Sequence, residues 1–167
     1  MAGPSTTTLE LPQFARPPHI MIAEARFYTE LADEMARGAI AELDAIGASY
    51  ERFPVAGAFE LPAAIRIAMQ ATERGTLKRP FDGYIALGCV IRGDTTHYDY
   101  VCGESARGLQ DLAIEYGAAI GYGILTVENE EQAWVRARVS DQNKGGDVAR
   151  ACLGMIGLRQ RFGLFPR

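Results

Sequence analysis

The run Tyr84-Ile85-Ala86-Leu87-Gly88-Cys89-Val90-Ile91 passes directly into Arg92-Gly93-Asp94-Thr95-Thr96-His97-Tyr98-Asp99-Tyr100. The first part is short, continuous, apolar and partly β-branched, the pattern of a strand buried on both faces of a sheet. The second part supplies a glycine, two threonine hydroxyls, two carboxylates and one of only two histidines in the chain. Open parallel sheets bind ligands just past the carboxyl ends of their strands. A titratable imidazole at that place is a candidate for chemistry.

Working outward from this run, strand and helix patterns alternate. His19 to Ala25 is a first strand, followed by Leu31, Met35, Ala39, Leu43 and Ile46 at helical spacing and a stop at Gly47. Ser49 to Val55 reads as a second strand and Glu60 to Arg74 as a second helix with Pro62 in its first turn. Residues 75–82 form a polar connection, and the third strand is Gly83 to Ile91. A helix is expected from about Gly103 to Tyr116, with Leu109, Leu112, Ala113 and Tyr116 on one face. Ala118 to Thr126 is a fourth strand, Glu130 to Arg138 a short helix, and Gly145 to Phe162 a last helix turning Val148, Cys152, Met155 and Ile156 inward. Strands separated by helices imply right-handed βαβ units. The expected class is α/β, a three-layer αβα sandwich of flavodoxin-like type around a parallel four-stranded sheet.

The bulk properties narrow the function. A chain of 167 residues suits one domain, and 48% hydrophobic with 23% charged residues excludes a disordered or membrane-embedded class. No apolar run approaches the roughly 18 residues of a membrane span. The N-terminus lacks a signal-peptide pattern, so a cytoplasmic enzyme is expected. Residues 1–18, with four prolines and three consecutive threonines, read as a mobile arm whose Leu9, Leu11 and Phe14 are free to pack on a neighbour. Cys89, Cys102 and Cys152 are odd in number and far apart, which suggests reduced thiols, with no metal site. A net charge of −4 argues against a nucleic-acid partner, and leaves any anionic substrate to local groups.

Four loops meet at the carboxyl edge of such a sheet. Phe27 and Phe59 either stack on a planar heterocycle or cap the core. Glu60 either caps its helix or accepts hydrogen bonds from a ligand's N–H groups. A histidine such as His97 can both take and give protons, and Asp99 is close enough in sequence to orient it. Gly93 to Thr96 lead toward a helix whose backbone N–H groups suit phosphate, although the Asp94 carboxylate would repel an anion unless only its amide faced inward. Arg136 and Lys144 are the cations best placed to complete an anion site, if they are not simply solvated.

Four ordered segments then carry a resemblance over residues 19–163. They are Ala25-Arg26-Phe27, Gly57-Ala58-Phe59-Glu60-Leu61-Pro62, the stretch from Ala86 to Val101, and Gly123 to Ala133, with Asn143-Lys144-Gly145-Gly146 added. The sequence resembles the lumazine synthase (6,7-dimethyl-8-ribityllumazine synthase) family, the penultimate step of riboflavin biosynthesis. The resemblance implies a transferase that condenses 5-amino-6-(D-ribitylamino)uracil with 3,4-dihydroxy-2-butanone 4-phosphate without a cofactor or metal. It implies His97 as the catalytic histidine, and Phe27, Ala58, Phe59, Glu60, Cys89, Val90 and Ile91 around the pyrimidine and its ribityl chain. It further implies Asp94, Thr95, Arg136 and Lys144 at the phosphate.

Two departures from the family pattern bear on assembly. Tyr122 replaces a frequent Phe that reaches the pyrimidine site of a neighbouring subunit. Arg138-Val139-Ser140-Asp141-Gln142 replaces the compact Gly- and Lys-containing turn of capsid-forming relatives. The expectation is one lumazine-synthase-like domain over 19–167 and a homopentamer with active sites between subunits. An N-terminal strand from a neighbour would extend the sheet. The competing readings are a flavin- or lumazine-binding module without catalysis, and a purely structural assembly protein.

Overall fold

The structure, a computed structural model, describes residues 10–166. Nine regular elements follow one another: β1 (His19–Ala25), α1 (Thr29–Ala45), β2 (Ser49–Val55), α2 (Leu61–Glu73), β3 (Gly83–Ile91), α3 (His97–Tyr116), β4 (Ile120–Val127), α4 (Glu130–Ala137) and α5 (Lys144–Arg161). The strands form one parallel sheet in the order β2-β1-β3-β4. This is the α/β class the alternation of patterns implies, with the apolar run of β3 in the interior of the sheet.

Side chains alternate along the strands and feed two cores. Ile20, Ile22, Ile85, Leu87 and Leu125 face one side, where α1, α4 and α5 cover them. Met21, Ala23, Tyr84, Ala86 and Ile124 face the other, against α2 and α3. On the first side α1 and α5 approach closely, because a Cβ on Gly145 would run into the Met35 carbonyl. Residues 1–9 of the expected arm lie outside the described residues. Beyond them, Leu11 and Phe14 pack against this chain's own core, and Arg16 pairs with Asp82 at 2.7 Å.

The helix expected from Gly103 begins six residues earlier, at His97. Its first turn is too polar for an apolar-period reading to find, since it faces the open edge of the sheet. Two residues expected inward are exposed instead: Met155 on α5 and Tyr116 at the end of α3. The connection after α4 is also tighter than its bulky residues suggest. Asp141 and Asn143 both donate their N–H groups to the Arg138 carbonyl, and Asn143 takes the left-handed conformation (φ 47°) that glycine usually supplies.

Candidate active site

The end of β1 is set by ion pairs beneath the Phe27 loop. Glu24 is only 2% exposed, and Arg52 binds it with both Nε and Nη2, at 2.5 and 2.8 Å. Arg26 adds a bond to Glu24 and a shorter one, 2.6 Å, to Asp33 on α1, while its backbone N–H donates to the Val55 carbonyl. A buried carboxylate needs such partners. The Arg26 guanidinium in turn holds the Asp33 carboxyl below the usual carboxylate range. The loop is thereby anchored on both strands, and Phe27 projects from it, 74% exposed.

A cleft of about 430 Å³ opens at the carboxyl edge of β1, β2 and β3. Its walls bring together Phe27, Ala58, Phe59, Glu60, Cys89, Val90, Ile91 and His97, residues from four separate stretches of sequence. Phe59 is 55% exposed. Neither phenylalanine therefore caps the core; both line the cleft.

Glu60 has the capping role and keeps capacity for a ligand. Its Oε2 accepts from the Gly57 N–H at 3.0 Å, closing the single 3-10 turn Ala58–Glu60 ahead of α2. Oε1 has no hydrogen-bond partner among the described residues. Burial pushes the Cys89 thiol up to about 12, so it stays neutral and acts as a wall of the cleft and not as a nucleophile.

His97 is the first residue of α3 and is exposed to the cleft. Its ring has no hydrogen-bond partner among the described residues. Asp99, expected to orient it, is engaged elsewhere: Arg92 Nη1 donates to Asp99 Oδ1 at 3.3 Å. The other histidine is structural. His19 is buried, stacks on Phe81 with ring centroids 4.9 Å apart, and lies within hydrogen-bond distance of Ser49 and Glu51.

The remaining site candidates do not line this cleft. Asp94 and Thr95 occupy the exposed turn between β3 and α3, where Thr95 Oγ1 accepts weakly from the His97 N–H at 3.4 Å. Arg136 donates to the Gln132 carbonyl on its own helix, and Lys144 pairs with Asp147 at 2.8 Å. Tyr122 is 45% exposed in a second concavity, beside Leu109, Ala113 and Ile120. Tyr28, Ala56 and Gly57, expected in the loops at this edge but given no site role, also line the cleft, as does Val101. Val101 was findable: it stands one helical turn from His97 once the helix is started there.

No group of three or more metal-ligating side chains occurs among the described residues. An aromatic-walled cleft with a carboxylate and an unengaged imidazole suits a planar nitrogen heterocycle and proton transfer.

Comparison with known proteins agrees with this chemistry. The family model described as 6,7-dimethyl-8-ribityllumazine synthase matches residues 17–160. The chain is 54% identical over 148 residues to 6,7-dimethyl-8-ribityllumazine synthase 1 of Rhizobium meliloti, covering 89% of this chain and 95% of that one. It is 52% identical over 142 residues to the 6,7-dimethyl-8-ribityllumazine synthase of Afipia carboxidovorans, covering 85% and 86%. It is 50% identical over 151 residues to that of Bartonella tribocorum, covering 90% and 96%.

Proposed function

The chain belongs to the 6,7-dimethyl-8-ribityllumazine synthase family, and on that premise we propose a reaction and a division of labour among its residues. It condenses 5-amino-6-(D-ribitylamino)uracil with 3,4-dihydroxy-2-butanone 4-phosphate to give 6,7-dimethyl-8-ribityllumazine, phosphate and water. The amine attacks the ketone, a Schiff base forms with loss of one water, phosphate is eliminated, and ring closure releases a second water. Each stage moves protons among nitrogen, carbon and oxygen, which an imidazole can serve. His97 is that group. Phe27 and Phe59 hold the pyrimidine ring, and Glu60 Oε1 accepts from its N–H groups.

The observation that carries this reading is the convergence of Phe27, Phe59, Glu60 and His97 on one cleft at the carboxyl edge of the sheet. A passive ring-binding module needs no unengaged imidazole there. The test is to mix the purified protein with both substrates and follow lumazine fluorescence. Enzyme-dependent product supports the reaction, and ligand binding without product would mark a binding module.

The substrate site is completed by a second copy, Arg136 and Lys144 serving the phosphate and Tyr122 the pyrimidine. Arg136, Lys144 and Tyr122 stand away from the cleft of their own chain, so their contribution comes from the neighbour's face, with Asp94 and Thr95 offering backbone amides. The protein is a homo-oligomer, and the proposed assembly is a pentamer because residues 138–142, although they close into a tight turn, contain neither the Gly nor the Lys of capsid-forming relatives. Native mass spectrometry should give five-subunit particles; 60-subunit particles alone would contradict this. A cytoplasmic location fits the substrates, and no helix among the described residues is long and apolar enough to cross a membrane.

A further inference from the structure

The turn that carries His97 is poorly secured by its own helix. Thr96, at the N-cap of α3, makes no side-chain capping bond, and the His97 N–H has only the long contact to Thr95 Oγ1. Uncapped helix ends leave their first N–H groups unsatisfied and fray. The side chain of His97 has no partner to fix it, so the backbone of this turn decides where the imidazole stands.

One side chain makes up the deficit. Arg92 is the first residue after β3, and its N–H donates to the Val127 carbonyl at the end of β4 at 2.9 Å. Its guanidinium then reaches three groups. Nε donates to Glu128 Oε2 at 2.9 Å, Nη1 donates to Asp99 Oδ1 at 3.3 Å, and the guanidinium carbon lies 4.0 Å from the centroid of the Tyr98 ring. The Tyr98 hydroxyl interacts with the side chains of Thr126 on β4 and Cys102 on α3. Residues 98 and 99 are therefore tied, through Arg92, to the exits of both β3 and β4.

We propose that Arg92 is a positioning residue for His97, fixing the first turn of α3 against the two strand ends so that the imidazole enters the cleft from one place. This rests on the reading of His97 as the proton-transfer group. Exposed ion pairs add little to global stability, whereas a misplacement of about 1 Å at a reacting group costs up to about 10²-fold in rate. Loss of Arg92 should consequently appear in kcat and not in melting temperature.

The test compares Arg92→Met, Arg92→Lys, His97→Gln and the double variant Arg92→Met/His97→Gln. Arg92→Met should lower kcat about tenfold, leave KM for the pyrimidine within about twofold and melt with the wild type. Arg92→Lys, which keeps the charge without the fork, should recover part of the loss. The double variant should be no slower than His97→Gln alone, because the two act as one unit. Losses that multiply, or an unimpaired Arg92→Met beside an impaired His97→Gln, would overturn the role of Arg92. An unimpaired His97→Gln would instead overturn the reading of His97. Should Arg92→Met not fold, Glu128→Gln and Asp99→Asn each remove one anchor and should show smaller losses with the same non-additivity toward His97→Gln; additive losses there would equally overturn the proposal.

Discussion

The guanidinium of Arg92 donates to Asp99 Oδ1 across 3.3 Å and closes the chain between them into a ring. His97 lies inside that ring without sharing the carboxylate. In the proposed mechanism it therefore acts as a lone imidazole and not as half of a carboxylate–histidine pair. His97→Gln should reduce kcat by about 10²-fold, the lower end of what a positioned acid–base group contributes, with KM for the pyrimidine almost unchanged. Asp99→Asn should cost less than tenfold. Steady-state kinetics with the two variants decides it, and equal losses would place Asp99 in a dyad after all.

Arg136 should discriminate between the two substrates. A guanidinium recognises phosphate through paired N–H donors, and the pyrimidine offers it no such partner. Arg136→Ala is expected to raise KM for the phosphorylated ketone by at least about tenfold, the loss of a charge-assisted bond, while leaving that of the pyrimidine near wild type. Matching changes in both would count against the assignment.

The cysteines should differ in reactivity. Burial pushes the thiols of Cys89 and Cys152 up to about 12, whereas Cys102 is only partly buried. At pH 8 the native protein should therefore show slow or no labelling of Cys89 and Cys152 by a disulfide reagent, and all three should react after denaturation. Rapid labelling of Cys89 in the folded protein would contradict its role as an inert cleft wall.

Acid should loosen the join between α1 and the connection after α4. Glu34 accepts from Arg37 at 2.5 Å and from the Val139 N–H at 2.8 Å. The Arg37 bond, helped by the Val139 N–H and opposed by burial, holds the Glu34 carboxyl below its ordinary value of 4.5. A depressed folded-state value stabilises the protein above the ordinary value, and that contribution disappears as pH falls through the lower one. Denaturant midpoints should decline below about pH 4.5, and Glu34→Gln should decline less steeply. An identical slope would show that Glu34 takes no part.

Much of this was legible in the sequence because β3 is so apolar and the helices between strands are long. The buried run Tyr84–Ile91 fixed the sheet interior, and motifs after three strands gave the cleft its Phe27, Glu60 and His97. The start of α3 escaped because residues 97–100 carry no apolar face and Thr96 no capping bond. Arg92 escaped for a related reason: its partners Glu128 and Asp99 are 36 and 7 residues away, and only the adjacency of β3 and β4 unites them. Met155 and Tyr116 were placed inward by spacing alone, which cannot tell a core-facing stripe from one left open on a single chain. Spacing gives Arg136 and Tyr122 no site role; the resemblance alone implies a phosphate contact for the first and a neighbour's pyrimidine site for the second.

Subunit mixing shows whether a cleft in one copy is completed by Arg136 of the next. His97→Gln and Arg136→Ala chains, each impaired alone, are unfolded, mixed in equal amounts and reassembled, then assayed at limiting phosphorylated ketone. Sites shared between copies predict that about a quarter of the interfaces pair an intact His97 with an intact Arg136, so activity rises well above that of either variant. Activity equal to the mean of the two impaired proteins would mean that each chain builds its site alone.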